Sequence, residues 1–273
     1  MPDEQQPGLN QREREDVEEL AAPRAPVLYE VVRRQGEEEL RRPVGSLFWS
    51  GIAGGVTMMA SVIAQGALAH KLPAGLAWRE PVIDLGYSLG FLMVVLGRMQ
   101  LFTEQTIVAV LPIMRRPSWG KLGVVGRLWA IVFAANLIGT GTAAALSAHV
   151  RLVSQGLLAA MLAVSGRLLD KAPLDVLLQG IPAGFLVASV AWIRAGTTSG
   201  HFLIVLTLTY AIALGGFTHV IAGSAETFLL LFTSKVSVAQ AIGGLILPAL
   251  AGNVIGGTGL FALLAHAQVR QEL

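Results

Sequence analysis

The stretch "GRMQLFTEQTIVAVLP", residues 97–112, decides the fold, because polar side chains interrupt a long apolar run there. Six of the nine positions from 98 to 106 are polar, namely Arg98, Gln100, Thr103, Glu104, Gln105 and Thr106. Irregular backbone is tolerated at membrane depth only where protein covers it or where it lines a water-filled cavity. We therefore predict that a membrane-spanning helix breaks at Leu101–Thr106 and that the break lines a cavity.

The composition is that of an integral membrane protein. Of the 273 residues, 53% are hydrophobic and 14% are charged, whereas about a quarter of a soluble domain is charged. The chain has no cysteine, which excludes disulfides, thiol nucleophiles and thiolate metal sites. No phosphate-binding glycine-rich loop is present, and the basic residues of the body lie at the ends of apolar runs. The sequence therefore predicts no cofactor, no metal and no nucleic-acid partner.

Apolar stretches define the organisation of the chain. Six of them follow residue 43, at 45–69, 82–112, 123–149, 174–195, 201–232 and 238–267. A spanning helix needs about 20 residues, and the second and fifth stretches exceed that length by about ten, so we predict that both are broken. The resulting division is a charged cytoplasmic N-terminal arm at 1–43, a six-helix transmembrane channel domain at 44–267 and a short cytoplasmic C-terminal tail at 268–273.

Charge is distributed unevenly between the arm and the body. The arm contains 11 of the 18 acidic and 7 of the 20 basic residues, a net charge of −4. The arm is either solvated and partly disordered, which its composition favours, or a helix that packs on the cytoplasmic mouth.

Near the span ends, ten Lys and Arg, including Arg115 and Arg116, lie on the same side of the membrane as the N-terminus, and six lie on the other side. This bias predicts that both termini lie on the cytoplasmic side of the lipid bilayer.

The two halves of the body resemble each other. "AANLIGTGTAAALSAH" (134–149) aligns with "AGNVIGGTGLFALLAH" (251–266) at an offset of 117, with eight of 16 positions identical. "LFTE" (101–104) aligns with "GFTH" (216–219) at an offset of 115, and Gly51 and Gly55 align with Gly180 and Gly184 at 129. A three-span unit that is repeated once must be inverted in the membrane. We predict an all-α integral membrane fold with six transmembrane helices, an inverted 3+3 repeat and broken second and fifth spans.

His219 is the sharpest candidate for a functional residue, because it lies in the middle of an apolar span. An intramembrane ionisable group is a functional hypothesis by default, and the alternative is a neutral imidazole that joins two helices. Thr103 is expected to place a hydroxyl opposite His219. Leu101 and Phe102, which flank Thr103, are expected to form an apolar constriction or, alternatively, to belong to the ordinary core.

Polar residues elsewhere in the spans have two alternative roles. Asn136 and Asn253 either line the pore or bond the carbonyls of broken helices, and the small residues that follow them favour the structural role. A charge inside a span is expensive unless it is paired. We therefore expect Arg98 to form an ion pair with Glu104 or with Glu226.

Three motifs resemble those of the formate/nitrite transporter family: "QLFTEQT" in the second stretch, "GGFTHVIAG" in the fifth and "GNVIGGTG" in the sixth. The resemblance covers about residues 44–267, and the region around Arg98 is most similar to a bacterial inner-membrane subgroup. It implies an aquaporin-like fold and a homopentamer in which each protomer has its own pore. It also implies small monovalent anions, such as formate, nitrite or hydrosulfide, as substrates.

The resemblance also implies the residues of the pore. By motif, these are Leu101, Phe102, Thr103, His219 and Asn253. Phe91 and Ile212 fall where the family has other apolar constriction residues. A basic residue that attracts anions is expected before the fourth stretch, and Lys171 and Arg167 are the candidates. Three positions depart from the family pattern: Thr218 replaces an acidic residue, Gly184 replaces an asparagine, and Glu104 is unusual. The departures leave the identity of the substrate open.

The leading interpretation is a channel or transporter for a small monovalent anion or its conjugate acid, with His219 between apolar constrictions. The alternative is an aquaporin-like channel for small neutral solutes, which Thr218 and Glu104 favour and the lack of paired Asn-Pro-Ala motifs disfavours. A hydrolase that uses Ser224 and His219 is disfavoured, because the two residues are poorly spaced and no orienting partner is evident. The sequence therefore does not indicate an enzyme.

Overall fold

The computed structural model describes residues 8, 10–13, 23–114 and 117–272. Within them the regular structure is helical, and the helices are α1 (Ala25–Arg41), α2 (Val44–Lys71), α3 (Arg79–Leu85), α4 (Ser88–Leu96), α5 (Phe102–Val108), α6 (Leu111–Met114), α7 (Trp119–His149), α8 (Gln155–Ser165), α9 (Pro173–Ala195), α10 (His201–Leu214), α11 (Val220–Phe232) and α12 (Gln240–Val269). Parts of the predicted arm (1–7, 9 and 14–22) and the loop residues Arg115 and Arg116 lie outside the described residues.

Four of the described helices, α2, α7, α9 and α12, are long and apolar enough to cross a membrane. Their positions agree with the first, third, fourth and sixth apolar stretches. The second and fifth stretches instead contain pairs of shorter helices, α4 with α5 and α10 with α11. The π-helical turns at 240–246 and 255–262 make α12 less regular than the other three long helices.

Two short non-helical segments separate the helices of each pair. The first connecting segment, residues 97–101, includes Arg98 in the left-handed region (φ 53°) and extended backbone at Leu101. The second connecting segment, residues 215–219, includes Gly216 in the left-handed region (φ 61°) and extended backbone at His219. The two segments therefore follow the same backbone path at an offset of 118 residues.

The predicted position of the first break is wrong by several residues. Residues 102–106, which we expected to be irregular, belong to α5, and the non-helical backbone lies before them, at 97–101. The polar side chains of α5 remain compatible with a helix because Thr103, Gln105 and Thr106 are buried against protein. A left-handed residue, rather than polarity, marks where the helix ends.

Two asparagines hold the connecting segments in place by equivalent hydrogen bonds. Asn136 accepts from the Phe102 N–H (2.9 Å) and donates to the carbonyls of Gly51 (2.8 Å) and Gln100 (2.9 Å). The Phe102 N–H, at the start of α5, and the Gln100 carbonyl, in the connecting segment, are backbone groups that no helix satisfies at that point. Asn136 therefore bonds the backbone of α2 and of the first connecting segment, which is one of its two expected roles.

Asn253 makes the matching set of bonds in the other half. It accepts from the Val220 N–H (2.8 Å) and donates to the carbonyls of Gly180 (2.9 Å) and Thr218 (2.8 Å). Phe102 and Gln100 thus correspond to Val220 and Thr218 at an offset of 118. The sequence alignment of "LFTE" with "GFTH" at 115 is therefore wrong by three residues, because identical letters matched residues whose backbones are not equivalent.

Helix α1 packs against the body. Tyr29 is fully buried and its hydroxyl lies 2.8 Å from His266 Nδ1. Gly36 approaches α5 so closely that an added Cβ would overlap the Val108 carbonyl and the Pro112 ring. The expectation of a solvated, partly disordered arm is therefore wrong for residues 25–41. The many charged residues of α1 concealed this packing, in which Tyr29, Val32 and Gly36 are buried.

Candidate functional site

His219 and Thr103 meet in the interior, although 116 residues separate them in the sequence. His219 Nε2 lies 2.6 Å from Thr103 Oγ1, and both residues are buried. His219 ends the second connecting segment, and Thr103 lies in the first turn of α5. The contact therefore joins the N-terminal ends of α5 and α11, which the two asparagines hold in equivalent positions.

The other ring nitrogen of His219 determines its tautomer. His219 is the N-cap of α11, and its Nδ1 accepts a hydrogen bond from the Ala222 N–H at 3.2 Å. A nitrogen that accepts from an N–H carries no hydrogen itself, so in the neutral ring the hydrogen lies on Nε2. The Nε2–H therefore donates to Thr103 Oγ1, and the Thr103 hydroxyl hydrogen is free to donate to a third group.

Apolar side chains surround this pair. The rings of Phe91 and His219 make an edge contact with centroids 4.8 Å apart. Phe102 packs edge-on against Phe133, with centroids 5.1 Å apart. Phe91, Phe102 and two further predicted constriction residues, Leu101 and Ile212, are buried in one hydrophobic cluster. The buried hydrogen-bonding pair therefore lies within an apolar region.

A small cavity of about 40 Å³, with His219 and Glu226 in its wall, lies on one side of the pair. Thr218 also lines this small cavity, but its hydroxyl donates to the Val176 carbonyl at 2.5 Å. The Ser224 hydroxyl lies 3.0 Å from Thr140 Oγ1 and donates to the Ile221 carbonyl. Because Ser224 bonds these groups and not His219, the geometry gives no nucleophile–base pair.

The structure distinguishes the two candidates for anion attraction. Arg167 forms ion pairs with Glu80 and, at 3.4 Å, with Asp84, so carboxylates compensate its charge. Lys171 donates from Nζ to the Gly216 carbonyl of the second connecting segment at 2.5 Å. Burial lowers the pKa of Lys171, and the nearby Glu226 carboxylate opposes that shift. Lys171 is therefore the cation that contacts the connecting segment.

A larger cavity of about 340 Å³ is lined by residues of α1, the first connecting segment, α5 and the end of α9. In this large cavity Glu104 pairs with Arg194 NH1 at 3.2 Å. Arg98 lines the same cavity but is exposed, whereas Glu226 lines the small one. The expected pairing of Arg98 is therefore wrong for Glu104, because the end of α9 brings a different arginine to this carboxylate.

Sequence reasoning did not predict that Arg194 and Gln105 line the large cavity. Arg194 lies at the end of an apolar stretch, where a basic residue is common. It therefore indicated only the orientation of the chain in the membrane. Gln105 lies next to Glu104 in the polar stretch, but nothing in the sequence indicated that its side chain is buried. Both side chains line the large cavity.

The regular structure of the described residues is helical, with four helices of spanning length and a buried polar pair where two helix pairs meet. This arrangement is typical of polytopic channels and transporters. The chain belongs to the formate/nitrite transporter family, because the model described as "Formate/nitrite transporter" matches residues 26–267. The predicted family is confirmed, and the match begins within α1, before the residue 44 that the motifs indicated.

Curated relatives extend over most of the chain. The protein is 35% identical over 250 residues to "Inner membrane protein YfdC" of Escherichia coli (strain K12), covering 92% of this chain and 80% of that protein. It is 29% identical over 240 residues to "Uncharacterized transporter YrhG" of Bacillus subtilis (strain 168), covering 85% and 89% respectively. The chain is therefore a membrane transporter of this family, in agreement with its apolar helices.

Solved structures share the fold. A "Pentameric formate channel with formate bound" superimposes with a TM-score of 0.69 at 20% identity, covering 84% of this chain and 98% of that chain. An "FNT family ion channel" superimposes with a TM-score of 0.72 at 19% identity, covering 89% and 98%. The family and these structural neighbours are channels and transporters, not enzymes.

Proposed function

We propose that the protein carries a small monovalent anion, such as formate, nitrite or hydrosulfide, or its conjugate acid, across the membrane. The observation that carries the proposal is the 2.6 Å contact between His219 Nε2 and Thr103 Oγ1 inside an apolar region. The apolar side chains penalise a bare ion because burying an unpaired charge is costly. The Nε2–H and the Thr103 hydroxyl reduce that penalty by donating hydrogen bonds, and the neutral acid crosses most easily.

The proposal includes an architecture of six spans in an inverted 3+3, aquaporin-like repeat, with broken second and fifth spans. In it, α4 with α5–α6 and α10 with α11 form the broken spans. The equivalent bonds of Asn136 and Asn253 support the repeat. We further propose a homopentamer in the inner membrane, with both termini cytoplasmic. The structural neighbour described as a pentameric formate channel supports the oligomer, and the inner-membrane relative supports the location.

Lys171 identifies one end of the proposed path as the entrance for anions. It lies at the second connecting segment, near Glu226, on the side of the small cavity. A partly buried cation attracts small anions over distances comparable to the Debye length, about 8 Å at physiological ionic strength. We propose that Lys171, more than Arg167, draws the anion toward His219.

A channel for small neutral solutes is the second candidate. Thr218, at a position where the familiar members carry an acidic residue, uses its hydroxyl to bond the Val176 carbonyl. The neighbour of His219 in the chain is therefore uncharged and already bonded, which leaves His219 without an adjacent carboxylate. Thr218 therefore favours a neutral solute more than the acidic residue of the familiar members would.

Reconstituted liposomes separate the two candidates. Uptake of formate, nitrite, hydrosulfide, acetate, water and glycerol is measured at several pH values for the wild type and His219→Ala. We expect pH-dependent anion uptake that falls by about 10–100-fold in the variant, which is the effect of losing one hydrogen bond to a charged group. His149→Ala, at the exposed end of α7, is the matched control and should keep the wild-type rate. Water or glycerol uptake without anion uptake contradicts the proposal.

A further inference from the structure

Each connecting segment has a cation at its left-handed position. In the first segment that position is occupied by Arg98 (φ 53°), and in the second by Gly216 (φ 61°). The two residues are equivalent at the offset of 118 that relates the bonds of the two asparagines. Gly216 has no side chain, but a Cβ added there would lie 4.0 Å from Lys171 Nζ, and that ammonium donates to the Gly216 carbonyl. Lys171 therefore brings a positive charge to the second segment where Arg98 supplies one in the first.

The left-handed backbone of Arg98 indicates that its side chain has a role. This conformation places the Cβ of an ordinary residue too close to the following carbonyl oxygen, whereas glycine adopts it freely. The equivalent Gly216 shows that a connecting segment with the same backbone path forms without any side chain at this position. Because strained backbone is found mainly at functional sites, an arginine here points to a use of the guanidinium.

The positive charge of Arg98 is not compensated by an ion pair. Arg98 lines the large cavity, is exposed and forms no ion pair with a residue in the described part of the chain. Arg194, the other arginine of the lining, pairs with Glu104 at 3.2 Å, and Glu39 pairs with Arg42 at 3.2 Å. Because these carboxylates are neutralised by their partners, the charge of Arg98 remains available to a solute.

The large cavity reaches the proposed path of the solute. Its lining includes Glu104, the neighbour of Thr103 in the first turn of α5. It also includes Glu38 of α1, which is exposed and has no ion pair within the described ranges. Equivalent positions of an inverted repeat face opposite sides of the membrane, so Arg98 and Lys171 lie at opposite ends of the proposed path.

We propose that Arg98 attracts the anion at the large-cavity end of the path, and that Glu38 weakens this attraction. An unpaired cation in a mouth with low-dielectric walls raises the local concentration of small anions, and an unpaired carboxylate in the same cavity lowers it. The inference rests on the proposed function, and it adds a second entrance to the one that Lys171 identifies. Arg98 is then a specificity-determining residue, because it favours anions over neutral solutes at that end.

Arg98→Gly removes the charge without straining the backbone, because glycine adopts the left-handed conformation freely. Initial formate uptake is measured in liposomes at concentrations far below saturation. At low ionic strength we expect uptake to fall about threefold, the effect of one charge about 6 Å from the anion in water. In about 1 M potassium gluconate, where the Debye length is about 3 Å, the variant should match the wild type. The melting temperature in detergent should equal or exceed that of the wild type, and Arg98→Lys should retain the wild-type uptake.

Arg270→Gln is the matched control, because it removes an exposed positive charge just beyond the end of α12, outside the lining of the large cavity. It should leave uptake unchanged at both ionic strengths. Glu38→Gln removes the opposing charge and should raise uptake at low ionic strength, by up to about threefold.

Three results overturn the role of Arg98: uptake by Arg98→Gly that does not fall at low ionic strength, a loss that persists in high salt, or an equal loss in Arg98→Lys. Unchanged or lower uptake by Glu38→Gln overturns the role of Glu38. If the wild type still takes up formate by a route that requires His219, the proposed function stands and only this inference fails. If the wild type takes up no anion, both fail.

Discussion

At the residue scale, His219 combines a structural and a proposed functional role in one ring. Nδ1 caps α11 and Nε2 contacts Thr103. The sequence indicated the importance of this histidine and the proximity of Thr103, because both are polar residues inside apolar stretches. It did not indicate the tautomer, which depends on a backbone N–H three residues later in a helix whose start was not predictable from composition.

Thr103 is expected to matter for transport through its hydroxyl alone. Thr103→Val has nearly the same shape but leaves the His219 Nε2–H without an acceptor, so we expect anion uptake in liposomes to fall by about tenfold, the value of one hydrogen bond. Thr103→Ser should retain the rate. Thr142→Val, on an exposed part of α7, serves as the control for the loss of a threonine hydroxyl. Wild-type uptake by Thr103→Val would exclude a role of the hydroxyl in the path.

At the element scale, the ends of the helices around the connecting segments were harder to predict than their existence. The second and fifth stretches, which are longer than one span, each contain shorter helices separated by non-helical backbone. The predicted position of the break in the second stretch was wrong, because it relied on the polar residues 103–106. The helix instead ends at Gly97 and the left-handed Arg98. An arginine in a sequence does not indicate a left-handed backbone, whereas the glycine at the equivalent position, Gly216, does.

The two asparagines are expected to contribute equally to stability. Asn136→Leu and Asn253→Leu each remove the partner of one buried N–H and of one connecting-segment carbonyl, whereas the Gly51 and Gly180 carbonyls lie within helices. At roughly 1–3 kcal/mol for each unpaired group, each variant should lose about 2–6 kcal/mol, measured by thermal unfolding in detergent. Ile255→Leu, a partly exposed neighbour on α12, should unfold like the wild type. A large loss in one variant only would argue against equivalent roles for the two asparagines.

At the scale of the whole molecule, the sequence predicted the class and, by resemblance, the family. It did not predict that α1 belongs to the packed structure. Hydrophobicity identifies spans because the lipid interior favours apolar side chains. Helix α1 packs through Tyr29 and Gly36, and its many charged residues make its sequence resemble that of a solvated helix. The large cavity was missed for the same reason, since α1 supplies part of its wall.

The packing of α1 should depend on the absence of a side chain at residue 36. Gly36→Ala would overlap the Val108 carbonyl and the Pro112 ring, and overpacking of this kind costs about 1–3 kcal/mol. We expect amide hydrogen exchange of residues 25–41 to accelerate by about tenfold or more. Gly45→Ala, where an added Cβ meets no atom within 4 Å, should exchange like the wild type. Unchanged exchange in Gly36→Ala would contradict the close contact.

The equivalence of Leu101 and His219 has a consequence for protein engineering. Each is the N-cap residue at the end of its connecting segment, and each is followed by a residue whose N–H an asparagine binds. Within the proposed inverted repeat, the two connecting segments therefore have equivalent backbones when viewed from opposite faces of the membrane. The side chains of Leu101 and His219 differ between them. The double substitution Leu101→His with His219→Leu would move the imidazole to the equivalent position in the other half. The asymmetry of transport could then be changed by two substitutions.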